Sequence, residues 1–101
     1  MVDAQTGLEV DILKKITGIA KACFPNADIL LFGSRASGKY HQSSDIDIAI
    51  KSKKKLNRLD IVELKDMLNA SNISYSFDVV DFNELNSQMQ ESILANNIKL
   101  S

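Results

Sequence analysis

From Asp45 to Ile50 the sequence reads Asp-Ile-Asp-Ile-Ala-Ile, an alternation of period two that an extended strand sorts onto two faces. Ile46, Ile48 and Ile50 point one way and seek a core, while Asp45, Asp47 and Ala49 point the other. Burying the isoleucines therefore presents two carboxylates side by side on the far face. Aspartate is disfavoured in strands, and two on one face without a ligand are costly, so a merely solvated strand face is the weaker reading.

Upstream, Ile29-Leu30-Leu31-Phe32 is an apolar run of strand length ended by Gly33, where the chain must turn sharply. Ser34 follows with a hydroxyl. A turn of this kind opening onto a helix offers backbone N–H groups and a positive helix end to phosphate oxygens, and Arg35 and Lys39 bring positive charge close by. Carboxylates at strand spacing can share two divalent cations about 3.5–4 Å apart, the separation used for in-line phosphoryl displacement. Magnesium suits such a site, since it takes oxygen ligands, keeps several waters and shares substrate phosphates. The combination reads as nucleotidyl transfer.

The remaining pattern predicts one α/β domain over residues 1–101, in the order α-β-α-β-α-β-α. Thr6 and Glu9 have capping-box spacing ahead of a helix carrying Leu8, Ile12, Ile16, Ile19, Ala20 and Cys23 up to Pro25. Strands follow at 28–33 and 45–51, with a turn and short helix at 34–40 between them. A helix runs from Leu56 or Arg58 to Ala70, a third strand from Tyr75 to Phe82, and a last helix from Asn83 to Asn97. On the third strand Tyr75, Phe77 and Val79 share the apolar side, which puts Asp78 on the open side as a third carboxylate. Asp81 has the other parity and, three residues before Glu84, is expected to cap the last helix. Ile93, Leu94, Ile98 and Leu100 make the C-terminal segment apolar on more than one side, as a surface for a partner would be.

Three segments resemble the minimal nucleotidyltransferases of the DNA polymerase β superfamily: Leu31-Phe32-Gly33-Ser34-Arg35-Ala36-Ser37-Gly38, Ser44-Asp45-Ile46-Asp47-Ile48-Ala49, and Phe77-Asp78-Val79-Val80-Asp81-Phe82. The resemblance implies a small nucleotidyltransferase fold, a mixed sheet of three to four strands with helices on one face. It maps the functional positions to Gly33, Ser34, Asp45, Asp47 and Asp78, with two Mg²⁺ ions held by the three aspartates and ATP as substrate. It further implies an antitoxin whose partner is an all-helical HEPN toxin, silenced by transfer of AMP to a hydroxyl, that of a tyrosine. A subunit that binds nucleotide and neutralises its partner by contact alone is the alternative; the intact acidic triad favours the enzyme.

Other features weigh less. Gly33-x4-Gly38-Lys39 mimics a Walker A loop, but Tyr40 replaces the final hydroxyl residue. A net charge of −1 argues against a surface that coats nucleic acid. No apolar run reaches membrane-spanning length and the acidic start does not resemble a signal peptide, so a cytoplasmic protein is expected. Cys23 is the only cysteine and reads as core filler, as do Met67 and Met89. Lys53, Lys54 and Lys55 read as a solvated loop, His41 as exposed, and Tyr40 as a residue able to stack on a base.

Overall fold

A computed structural model describes residues 1–101. Helix α1 (Val10–Cys23) leads to strand β1 (Asp28–Phe32), a single helical turn α2 (Ser34–Ser37) and strand β2 (Ile46–Lys51). Helix α3 (Arg58–Ala70), strand β3 (Phe77–Asp81), a 3₁₀ turn (Phe82–Glu84), helix α4 (Ser87–Ala95) and a short strand β4 (Ile98–Lys99) complete the chain. The sheet order is β3-β2-β1-β4, with β2 and β3 parallel and β1 antiparallel to both β2 and β4. The fold is thus the mixed α/β sheet anticipated, with four strands.

The parallel pair exists because α3 carries the chain back across the sheet. Asn57 caps it, its Oδ1 accepting from Leu59 N–H at 2.9 Å. Ile61, Leu64 and Leu68 bury the inner stripe of α3 against Ile46, Ile48, Ile50, Phe77 and Val79. Ile29 and Leu31 of β1 and Ile16 and Ala20 of α1 join the same cluster. Each such aliphatic side chain, taken from exposure to full burial, contributes about 1.5–3 kcal/mol.

Helices do not keep to one face. Leu30 and Ala49 point the opposite way from Ile29 and Ile48, and Phe82 and Ile93 cover them in a second small cluster. The face that carries the aspartates is open at one end and roofed by α4 at the other. The C-terminal apolar residues are likewise used internally: Ile93 is buried there, and Ile98 and Leu100 pack on the main core. Leu100 N–H donates to Ile29 O at 2.8 Å, which binds the tail to β1. Leu94 alone of that group is widely exposed.

Local readings also shift. Thr6 caps no helix; it is buried, its hydroxyl accepts from Leu8 N–H, and α1 begins at Val10 with Glu9 as an N-cap whose side chain bonds none of the helix amides. The third strand starts two residues later than expected. The last helix is interrupted: Asp81 caps only the 3₁₀ turn, by accepting from Asn83 N–H at 3.0 Å, and Asn86 caps α4 by accepting from Met89 N–H at 2.8 Å. Met67 and Met89 are exposed, whereas Cys23 lies against the core edge. Lys53, Lys54, Lys55 and His41 are exposed, in keeping with solvated loops.

Candidate active site

β2 and β3 lie in a register that makes Asp47 and Asp78 direct neighbours, and Phe32 of β1 stands opposite Asp47 on the other side. All three belong to the face turned away from the main core. Ile46 N–H donates to Ser76 O at 2.9 Å and its side chain is fully buried, so the aspartates on either side of it must point outward. Asp45 precedes the strand and is exposed. At the start of β3, Asn69 clamps Phe77, its Oδ1 accepting from Phe77 N–H at 3.0 Å. The residue before Asp78 is thereby fixed to α3.

Gly33 joins the turn to this row. Its φ of 77° and ψ of −155° are open to glycine and strained for any other residue. A Cβ there would also overlap the carboxylate of Asp47. The turn and the acidic strand are therefore in contact. The first bond of the helical turn runs from Ser37 N–H to Gly33 O, which leaves the amides of Ser34, Arg35 and Ala36 ahead of it without an intrahelical acceptor. The Ser34 hydroxyl, half-buried at the same place, completes a set of donors for an anion.

The electrostatics follow from the crowding. Burial first, then the charges of Asp78 and Asp45, push the Asp47 carboxyl up to about 6. Asp78 has a counter-ion, Lys65 of α3, whose Nζ lies 3.4 Å from Oδ1 across the edge of the sheet. The acidic side chains do not close into a cage that holds a metal by itself. They form an open set, which fits magnesium, since that ion takes one or two carboxylates and completes its shell with water and phosphate oxygens. The like-charge pressure on Asp47 is what a bound cation would relieve.

Two residues expected at the phosphates are placed differently. Arg35 is buried, 1% exposed, and its guanidinium donates to the carbonyls of Thr6, His41, Gln42 and Ser44 at 2.9–3.3 Å. Tyr40 and Tyr75 stack on it, with ring centroids 5.0 and 4.7 Å from Cζ. Arg35 thus braces the loop leading to Asp45 and does not face a ligand, because its donors are spent on backbone. Tyr40 is committed to the same stack and is not a base platform. Lys39 is exposed beyond Gly38, at the opposite end of the turn from Ser34. Sequence spacing signalled neither the Arg35 hub, which Thr6 and Tyr75 complete from remote parts of the chain, nor Lys65, whose partner lies on another element.

The family model described as Polymerase beta, Nucleotidyltransferase matches residues 8–101. A Haemophilus influenzae protein named "Probable protein adenylyltransferase MntA" is 29% identical over 90 residues, 89% of this chain and 79% of the relative. Among solved structures, a toxin-antitoxin complex with AMP-PNP is similar with a TM-score of 0.77 and 29% identity, covering 88% of this chain and 72% of the other. A complex of tri-AMPylated Shewanella oneidensis HEPN toxin with MNT antitoxin gives 0.71 and 25%, covering 89% and 69%. The glycine-serine turn touching Asp47, the strand neighbour of Asp78, is thus part of a match that spans nearly the whole chain, and the protein belongs to the polymerase β nucleotidyltransferase family, among its minimal members.

Proposed function

We propose that this nucleotidyltransferase transfers AMP from ATP to a hydroxyl, that of a tyrosine, on an all-helical HEPN toxin, and so acts as the antitoxin of the pair. The observation that carries the reading is the contact of Gly33 with Asp47, whose strand neighbour is Asp78. The names of the relatives, an adenylyltransferase and complexes of toxin with antitoxin, agree with it.

The amides that open α2 and the Ser34 hydroxyl would hold the β- and γ-phosphates. Asp45, Asp47 and Asp78 would hold two magnesium ions, which when bound neutralise the triphosphate and favour pyrophosphate as the leaving group. Asp78, half-exposed on the edge strand, would accept the proton of the attacking hydroxyl. The new bond joins the acceptor oxygen to the α-phosphorus, the bond to the β-phosphate oxygen breaks, and pyrophosphate leaves.

Incubation with ATP labelled at the α position is expected to label the partner, while label at the γ position is expected to leave as pyrophosphate. Transfer of γ label would mean kinase chemistry and end the proposal. A partner that is bound and silenced but never labelled would establish inhibition by contact alone.

A further inference from the structure

β3 is an edge strand, and the start of its edge is already occupied from within the chain. Ile46 N–H donates to Ser76 O and Ile46 stands beside Phe77, so in this parallel ladder Ser76, Asp78 and Val80 turn their backbone groups to β2, while Phe77, Val79 and Asp81 turn theirs outward. Asn69 of α3 meets the first of these as a neighbouring strand would. Its Oδ1 accepts from Phe77 N–H at 3.0 Å and its Nδ2 donates to Phe77 O at 3.4 Å. No side chain does the same for Val79, whose outward N–H and C=O are left as an open pair of the kind that folded proteins ordinarily blunt.

A groove of about 590 Å³ runs along this stretch, and its walls lie on both faces of the sheet. Leu56 and Ile61 stand on the side of the main core, Val80 and Leu85 on the side of the small cluster under α4. A strand laid against Val79 sends successive side chains to these two apolar walls in turn. A helix in the groove rests on one wall and leaves Val79 unpaired. The shape therefore selects an extended segment.

Charge selects further. Lys55 and Arg58 line the groove, Lys53 and Lys54 precede them in the chain, and all four are exposed and outside every ion pair of the molecule. Two acids share the lining, but Asp81 already accepts from Asn83 N–H, which leaves Glu84 to face the four cations. A segment bearing carboxylates beside its apolar residues complements this rim.

We propose that the outer edge of β3 is a docking site for an extended, acidic segment of a protein partner, which joins the sheet as a further strand beside Val79. None of the three aspartates of the candidate active site lines the groove, so this docking stands apart from AMP transfer.

Fluorescence anisotropy with the full chain and labelled probes tests it. The main probe is a peptide of four valines flanked on each side by two glutamates; its counterparts carry lysine for glutamate, or N-methyl groups on alternate valine amides, and a single-stranded RNA octamer serves as the other polyanion. Wild type is expected to bind the glutamate peptide about tenfold or more tightly than the lysine peptide, and N-methylation should weaken it by about as much. Exchange of the Val79 amide proton should slow about tenfold at saturating peptide, because that group enters a strand pair. The double variant Lys55→Glu, Arg58→Glu changes exposed residues and puts an acid at the start of α3, where it suits the helix, so the fold is kept and the charge preference should invert. Equal binding of the two charge forms, or no binding of either at millimolar concentration, would overturn the proposal. So would indifference to N-methylation, an unchanged Val79 exchange rate, or a preference retained in the double variant. RNA bound more tightly than the glutamate peptide would assign the basic rim to a phosphate backbone and overturn it as well.

Discussion

The position a Cβ of residue 33 would take is filled by the carboxylate of Asp47. The turn and the strand meet at a point where only glycine fits, and a φ of 77° with ψ of −155° enforces the same choice. Gly33→Ala is expected to cost about 1–3 kcal/mol from backbone strain alone and to displace Asp47. Urea unfolding with and without magnesium ATP checks this. A variant with unchanged stability and ligand binding would show that the contact is incidental.

The pressure on Asp47 sets a pH dependence. Its carboxyl is raised from 3.8 to about 6, mainly by burial. Below about 4 both folded and unfolded chains hold the proton and the group contributes nothing. Between about 4 and 6 the unfolded chain ionises first, so stability falls as pH rises, and above about 6 the whole penalty is present. Allowing for solvent screening, Asp47→Asn should stabilise the metal-free protein at pH 7.5 by about 1 kcal/mol and flatten this slope. The same change should remove most of the thermal shift given by magnesium ATP. Asp45 is exposed, so Asp45→Asn should leave metal-free stability nearly unchanged. A strongly destabilised Asp47→Asn would make Asp47 structural.

Arg35 should behave as a core residue. Replacing it by Gln leaves four backbone carbonyls short of a donor and two tyrosine rings without their cation, an expected loss of about 3 kcal/mol or more. Lysine keeps the charge but not the fork, so Arg35→Lys should recover only part of it. The melting temperatures of the two variants settle the point. Full stability with a raised KM for ATP would return Arg35 to the phosphates.

Lys65 competes with any cation for Asp78. The pair is half-exposed on both sides, so Lys65→Gln should change stability by less than about 1 kcal/mol. Its effect should appear instead as tighter binding of magnesium or manganese, since a carboxylate oxygen is released. Titration of manganese followed by its own spin signal measures this directly. Weaker metal binding in the variant would mean that Lys65 organises the site.

What the sequence determined by itself is what depends on local period and turn chemistry. Alternation placed Asp45, Asp47 and Asp78 on the face opposite Ile46, Ile48 and Phe77, and the apolar run ending in glycine located the turn, because side-chain direction in a strand follows from parity alone. Element types followed for the same reason, and their order did too, up to the break after Asp81. Tertiary structure decided whatever depends on remote partners. Arg35 looks from its place beside Ser34 like a phosphate ligand, yet a buried guanidinium takes the carbonyls within reach, and Thr6 and the loop 41–44 reach it first. β4 is two residues long and carries no periodic signal; it forms because β1 has an open edge for the tail to pair with. Folding of α4 onto Leu30 and Ala49 turned an open face into one with a roof, since that part of the sheet is apolar while the part next to Gly33 carries charge that must stay in reach of water.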